Sequence, residues 1–576
     1  MPYRLNLMLR ALGAAVHRGD AIAALDLEPI LQTVRDRSQS ASYVPDLIRR
    51  LLLENPHRVT LTVAPDPELS AARTAAEKQR LDAMADALAD HERAEILDLA
   101  AKLKERQGQE DDPEILPKVT VADIPATVVE PKPITESVNG YQVWKYEPGT
   151  NGLVYQQWLK PLPQLSESDM NNLPLLTALM TEVGLGSDDY LAVQDRQSAT
   201  VGSLGVSTLT RSARDDVQKC SGWFLCSSKA LADRSAGQAA LMHDTLRHAR
   251  FDEKQRIREL VSQIRARRDQ SVTGSGHSLA MAAASAGMSP LAKRSHEQGG
   301  LAGIQHIRDL DDRLASDEAL ESLGQELGAL KEQLFCSGGT QVAVIADGNS
   351  IDAATQAALG HLGADNAAPR SLWEPQAIRE HRNEIWVTNT QVNFCARAYA
   401  TVPSGHPDAP ALTVLSAFLR NGFLHRAIRE QGGAYGGGAS HDANIGAFRF
   451  FSYRDPRLAE TLDDFEASIH WFLGNSHEGD ALEEAILGVV GSLDKPGSPA
   501  GEARKHFQET LFGRTAEHRA AFRQGIVTTT LDDLHRVADT YLSGTPFSTA
   551  VITNSAEAKN AGQLVDELGL QRRELP

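Results

Sequence analysis

Between Arg429 and Gly438 the sequence sets one arginine and one tyrosine among glycines: Arg429-Glu-Gln-Gly432-Gly433-Ala-Tyr435-Gly436-Gly-Gly438. Upstream, Leu412, Leu415 and Leu419 form a helical core face; Asp408 is placed to cap the helix start, and Gly432 and Gly433 stop it. Downstream, Ala447 to Tyr453 reads as a strand. A glycine loop that cradles phosphate leads into a helix N-terminus, where amides face the anion. This one leads out of a helix, and no Gly-Lys-Ser/Thr triplet accompanies it. Glycines also let a second backbone approach closely. Tyr435 then offers a phenol, and Arg429 a planar fork of donors, to carbonyls or carboxylates. That is a peptide-binding constellation without a catalyst. A tight helix-to-strand turn, with Arg429 capping carbonyls, stands open beside it.

Other chemistries find less support. A helical zinc-peptidase site needs two histidines one turn apart with a glutamate between them. Neither HExxH nor HxxEH occurs among the 18 histidines. His381 to Glu384 is the nearest approach, with Ile385 where the second histidine belongs, and His243 and His248 are five residues apart rather than four. No metal ligand set is therefore expected. Ser440, His441 and Asp442 are adjacent, so their side chains cannot converge as a triad, and no GxSxG elbow exists. Cys220, Cys226, Cys336 and Cys395 form no CxxC pair and read as reduced, mostly buried thiols. A net charge of -18 argues against nucleic acid, which demands a basic face. No apolar run approaches a membrane span.

The elements that must hold these residues recur along the chain. His57 to Asp66, Thr340 to Gly348 and Ser548 to Ser555 are apolar, β-branched runs ending in polar turns, each reading as a buried strand that leaves a domain. Gly152 to Trp158 and Val392 to Tyr399 pair as domain-opening strands, ending near Pro161 and Pro403 with helical stretches beyond. Long-period recurrence of this kind predicts duplicated α+β units. Glu68 to Ala89 and Glu92 to Gln107 predict a charged helical hairpin, its second helix capped by Asp90 and its end at Asp111 to Pro113. Residues 270–300 are rich in Ser, Gly and Ala; Leu279, Met281, Ala283 and Met288 are spaced for a small-residue helix packed closely on its neighbours.

The segment Arg429-x-x-Gly-Gly-Ala-Tyr435-Gly, the run Phe451 to Pro456 and the run Gly405 to Asp408 together resemble the fourth domain of presequence proteases, zinc peptidases of the pitrilysin/insulinase type. Asn55 to Thr60 with Pro65 and Asp66 resembles the close of that family's second domain. The charged hairpin resembles its inter-half linker, and Thr150 to Val154 the opening of its third domain. The resemblance covers nearly the whole chain. It implies an α+β fold of tandem homologous domains, antiparallel sheets packed with helices. The expected divisions are a remnant of the second domain at 1–66, the hairpin at 67–112, an extended connector at 113–134, the third domain at 135–362 and the fourth at 363–576.

The family's two halves close around short unstructured peptides. Its zinc sits in the first domain, on an HxxEH motif that this sequence lacks. Carried over residue by residue, the transition-state and substrate contacts of the fourth domain fall on Tyr435 and Arg429. The resemblance further implies that Gly432, Gly433 and Gly436 line the substrate. The resemblance implies peptide substrates, a zinc-bearing N-terminal half as partner, no cofactor in this chain itself, and no activity from this chain alone. Met1 falls inside the second domain, so the chain reads as a split subunit or a truncated copy, with Leu5, Met8, Leu9 and Leu12 as core. A noncatalytic peptide-binding or assembly subunit is the alternative. The expected location is cytoplasmic, or an organelle matrix if Arg4, Arg10 and Arg18 belong to a transit peptide.

Overall fold

A computed structural model of the protein describes residues 3–107, 115, 117–335, 338–363 and 371–575. Asp111 to Pro113 and Cys336 lie outside these residues, as does the stretch 364–370 just past the expected domain division. The chain forms two compact units, Met1–Val119 and Thr120–Pro576.

The first unit is helical, with helices at Tyr3–Val16, Glu28–Ser38, Tyr43–Ile48, Leu69–Ala87 and Asp90–Gln107. The last two are the charged hairpin. Its turn is closed by Glu92, whose carboxylate accepts from the Ala89 amide at 2.9 Å, and Asp90 is the first helical residue rather than the cap. Two expectations fail in this unit. Residues 57–66 form no strand, and Val59, Leu61 and Val63 are exposed. Extended backbone holds as a strand only when its polar groups pair, and the described residues of this unit contain no strand to pair with. Leu5, Met8, Leu9 and Leu12, read as core, are exposed on the Tyr3–Val16 helix for the same want of a covering layer.

The second unit holds two six-stranded sheets. The first contains β1 (Ile134–Val138), β2 (Tyr141–Tyr146), β3 (Leu153–Pro161), β4 (Ser203–Ser212), β5 (Cys220–Leu231) and β6 (Gln341–Ile345), in the order β1-β2-β6-β3-β5-β4. The second contains β7 (Asn383–Val387), β8 (Phe394–Ala400), β9 (Gly436–Asp442), β10 (Ala447–Tyr453), β11 (Phe547–Thr553) and β12 (Gln571–Glu574), in the order β12-β7-β11-β8-β10-β9. Without β1 and β12 the two orders coincide strand for strand, and β3 and β8 hold the same place. Each sheet is mixed rather than purely antiparallel, because β2 pairs with β6, and β7 with β11, in parallel. The composition of the exit strands fits this. β6 is Gln-Val-Ala-Val-Ile with only its first residue partly exposed, the continuous apolar run of a strand covered on both faces.

Each sheet is covered on one face by a helix from the other sheet's segment. The Gly276–Ser285 helix packs across β8, β10 and β11, burying Leu279, Ala280 and Ala283 against Phe394, Ala396 and Ala398. Small residues permit this approach: a Cβ on Gly276 would stand 2.6 Å from the Phe394 ring. Reciprocally, the Pro499–Leu511 helix sets Ala500, Ala503 and Phe507 on Tyr146, Leu159, Leu225 and Ile345. The Tyr146 hydroxyl meets His506 Nδ1 at 2.9 Å across that contact. The opposite face of the second sheet, Cys395, Tyr399, Phe448 and Phe450, packs on its own helices, following the period-two alternation of the strands. Residues 120–130 are tied to this second half: the Val121 amide donates to Glu483 at 2.8 Å, Arg523 donates to the Pro125 carbonyl at 2.8 Å, and Arg519 pairs with Glu130 at 2.6 Å.

Cys220, Cys226 and Cys395 are buried free thiols. His296 is buried, and desolvation, reinforced by Arg382 and Arg573, pushes its pKa down to about 4. The folded state therefore holds it neutral, while the unfolded chain takes up a proton below about pH 6.5. Its contribution is present above that pH and is lost as pH falls toward 4. At pH 5 the loss amounts to about 2 kcal/mol. Urea unfolding of the protein and of His296→Gln at pH 7.5 and pH 5 checks this. The variant should lose less stability on acidification than the parent, and equal losses would remove His296 from the account.

Candidate functional site

The helix that begins at Ala409 runs as α-helix to Leu419 and then winds more loosely, with π-type bonding, from Arg420 to Gln431. The sequence suggested one regular helix. Gly422 marks the change: it lacks a Cβ, which would otherwise stand 2.6 Å from the Trp471 indole. Asp408 does not cap the helix with its side chain. Its carboxylate instead accepts from the Tyr541 hydroxyl and pairs with Arg536, each at 2.8 Å.

At the other end, Gly433 adopts φ +80°, the left-handed conformation that terminates helices. The Gly433 and Ala434 amides donate to the carbonyls of Arg429 and Ile428, each at 3.1 Å. Gly432 is buried because the Arg457 guanidinium covers it. Gly437 and Gly438 let β9 lie against Ile428 and Arg420 of the helix. Gly436 faces open space. Most of these glycines are thus packing and turn residues; of the three assigned to a substrate, Gly436 is the one with room beside it.

The turn puts Tyr435 on the surface at 66% exposure. The Arg429 guanidinium carbon lies 5.9 Å from the centroid of its ring, and Arg429 is itself exposed. Among the described residues the Arg429 side chain caps no carbonyl. The phenol ring is propped from beneath. Tyr435 stands edge-on to Tyr453 at 5.5 Å and 88°; Tyr453 stands edge-on to His277 at 4.7 Å and contacts Phe394 at 6.0 Å. The Tyr453 hydroxyl reaches the Gly274 carbonyl at 3.3 Å.

The segment after β10 is pinned as firmly. Asp455 is buried, accepts from the Thr461 hydroxyl at 2.7 Å and the Arg457 amide at 3.0 Å, and exchanges backbone bonds with Asn393 at 2.7 and 2.9 Å. Burial raises its pKa. Arg457 spans Asp464 at 2.8 Å and the Ala427 carbonyl at 3.3 Å. The Tyr435 amide donates to the Arg454 carbonyl at 3.3 Å, and Arg454 itself sits at φ +50°. A guanidinium and a phenol, side by side on a braced ledge, can bind and orient carbonyl or carboxylate oxygens. Neither is a nucleophile or base suited to cleave them unaided.

Tyr453 and His277 did not stand out in the sequence as part of this site. Tyr453 lies inside the Phe451 to Pro456 run, and His277 in a stretch set aside for want of a serine elbow. Ser440, His441 and Asp442 diverge as expected. Ser440 faces Met281, Asp442 pairs with Arg449 at 3.3 Å, and His441 is held between Thr413 at 3.1 Å and Thr401 at 3.2 Å. The Thr413 hydroxyl also reaches the Ala409 carbonyl at 2.8 Å. A cleft of about 340 Å³ between β4 and the Pro499–Leu511 helix is lined by Arg211, Arg504, Lys505 and Phe512, and by neither Arg429 nor Tyr435. His243 and His248, set aside on spacing, do come together, with Asp244 beside them. Among the described residues no helix is long and apolar enough to cross a membrane.

Residues 63–310 match the family model for the region associated with M16 peptidases of subfamily C, and residues 383–553 the model described as PreP C-terminal domain. Presequence protease 1, chloroplastic/mitochondrial, of Arabidopsis thaliana is 28% identical over 541 residues, covering 92% of this chain and 50% of that protein. The mitochondrial presequence protease of Danio rerio is 27% identical, covering 91% of this chain and 53% of its own length. The chain thus spans about half the length of the curated relatives it matches. Among solved structures, a conserved protein of Enterococcus faecalis superposes with TM-score 0.55 at 16% identity, covering 73% of this chain and 99% of its own. A peptidase M16 inactive domain from Pseudomonas fluorescens gives 0.53 at 16% identity, covering 74% and 98%. These two share the fold.

Proposed function

The chain belongs to the pitrilysin-type peptidase family, where it corresponds to the C-terminal half of presequence proteases, and from that premise we propose that it supplies the substrate-holding wall of a zinc metalloendopeptidase for short unstructured peptides. The single observation that carries this reading is the exposed Arg429–Tyr435 pair on its braced ledge. Arg429 holds the peptide backbone, Tyr435 meets the carbonyl oxygen as charge develops on it, and Gly436 leaves room for the bound chain. The catalytic zinc and its general base belong to the N-terminal half, which is the partner of this chain. The coincident strand orders support reading 135–362 and 363–576 as copies of one domain. The exposed apolar run Val59, Leu61 and Val63 supports a second-domain segment at 1–66 that pairs with strands of the partner half. The cytoplasm is the proposed location; an organelle matrix, as in the names of the mitochondrial relatives, is the alternative.

The test uses the enzyme reconstituted by joining this chain to a zinc-bearing N-terminal half of a presequence protease. Arg429→Ala should raise KM and also lower kcat, because a guanidinium on the peptide backbone contributes in both ground and transition states. Arg429→Lys should recover only part, since the planar fork is lost. Unchanged kinetics with a lowered melting temperature would make Arg429 a turn residue and refute the assignment.

A further inference from the structure

We propose that His243, Asp244 and His248 form a binding site for a divalent transition-metal ion, zinc above all, built entirely from residues of this chain. The three ligand atoms lie within 4.8 Å of one another on the last turns of the Ser235–His248 helix. Both imidazoles present Nδ1 to the same oxygen, Asp244 Oδ1, each at 3.4 Å. That is long for a charge-assisted hydrogen bond, which closes to about 2.7–2.9 Å. It is close to the edge of a tetrahedron whose metal–ligand bonds are about 2.0–2.1 Å, roughly 3.4 Å.

The five-residue spacing of the histidines is no obstacle. Asp244 and His248 are one turn apart, and Nδ1, the ring nitrogen nearer the backbone, reaches the shared oxygen from His243. Imidazole nitrogen and carboxylate oxygen are the donors zinc takes. The helix C-terminus, where the backbone dipole favours a cation, lies at His248.

The surroundings complete the site. The other carboxylate oxygen of Asp244 accepts from Arg196 at 2.6 Å, which fixes the carboxylate orientation as an outer partner of a ligand commonly does. His361, at the end of the Ile351–Leu362 helix, brings its ring centroid to 6.0 Å from that of His243 and can supply the fourth donor in place of water. A simple side-chain pairing of His248 with Asp244 is the competing explanation, and it takes up no metal.

The experiment is calorimetric titration of zinc into the tag-free, chelator-washed full chain, with cobalt(II) as a spectroscopic probe. The expected result is one saturable zinc per chain, a cobalt spectrum of tetrahedral intensity, and a melting temperature raised by zinc. His248→Ala, at a half-exposed position, should weaken binding by about 100-fold or more and abolish the zinc-dependent melting shift while leaving the metal-free melting temperature unchanged. His243→Asn should act likewise. His381→Ala, removing an exposed histidine elsewhere, should change nothing. No saturable zinc binding, or binding that survives loss of His243 and His248 together, would overturn the proposal.

Discussion

Tyr435→Phe in the reconstituted enzyme is expected to lower kcat by about 10²–10³ while changing KM little. One oxyanion donor removed from a preorganised site costs that much in rate. Its hydrogen bond strengthens only as the carbonyl oxygen gains charge, so the loss appears in turnover rather than in binding. The structure makes the substitution clean. The phenol is exposed, and the ring is held by its edge-on contact with Tyr453, which Phe retains. Folding should therefore be untouched, and a thermal melt alongside the kinetics separates the two effects. An unchanged kcat would mean that the hydroxyl does not touch the reaction.

Phe394→Ala should be the most damaging single change to the platform. Phe394 is fully buried on β8, lies against Gly276 of the Gly276–Ser285 helix and touches Tyr453, the residue that props Tyr435. Truncating a buried phenylalanine costs about 3–5 kcal/mol. Phe394→Leu keeps most of the volume and should cost less, about 1.5 kcal/mol. The two variants are compared by their urea midpoints and by kcat after reconstitution. For Phe394→Ala both should fall, because the void opens beneath Tyr453. A midpoint near that of the parent would show that the helix does not depend on this strand for its seat.

How far the sequence carries depends on whether a signal is local. The helix stop at Gly432 and Gly433, the strand after it and the small-residue helix near 280 are written in adjacent residues, and each is found in the structure. Partners distant in sequence are not written there. The β-branched run in residues 57–66 reports a capacity to pair, not the presence of a neighbour, and the segment stays exposed in its unit. Asp408 looked like a cap because caps are local; its real partners, Tyr541 and Arg536, are more than a hundred residues away. Tyr453, which props Tyr435, is itself backed by His277, contributed by the segment between β5 and β6. The mixed sheets were foreshadowed by the apolar, β-branched runs of β6 and β11, the strands that pair in parallel with β2 and β7. The spacing rule that set aside His243 and His248 assumed that both rings face one way along a helix. It left out the carboxylate between them and the reach of Nδ1.

On the function proposed above, this chain completes a peptidase whose zinc lies on the other half. The most direct measurement is degradation of an unstructured peptide by three preparations: this chain, the zinc-bearing half, and the two joined. Turnover should be negligible from this chain, and from the joined halves it should exceed the sum of the separate ones and be abolished by a chelator. A joined preparation that binds the peptide yet cleaves no faster than the zinc-bearing half alone would contradict it, and would make this chain a peptide-binding subunit.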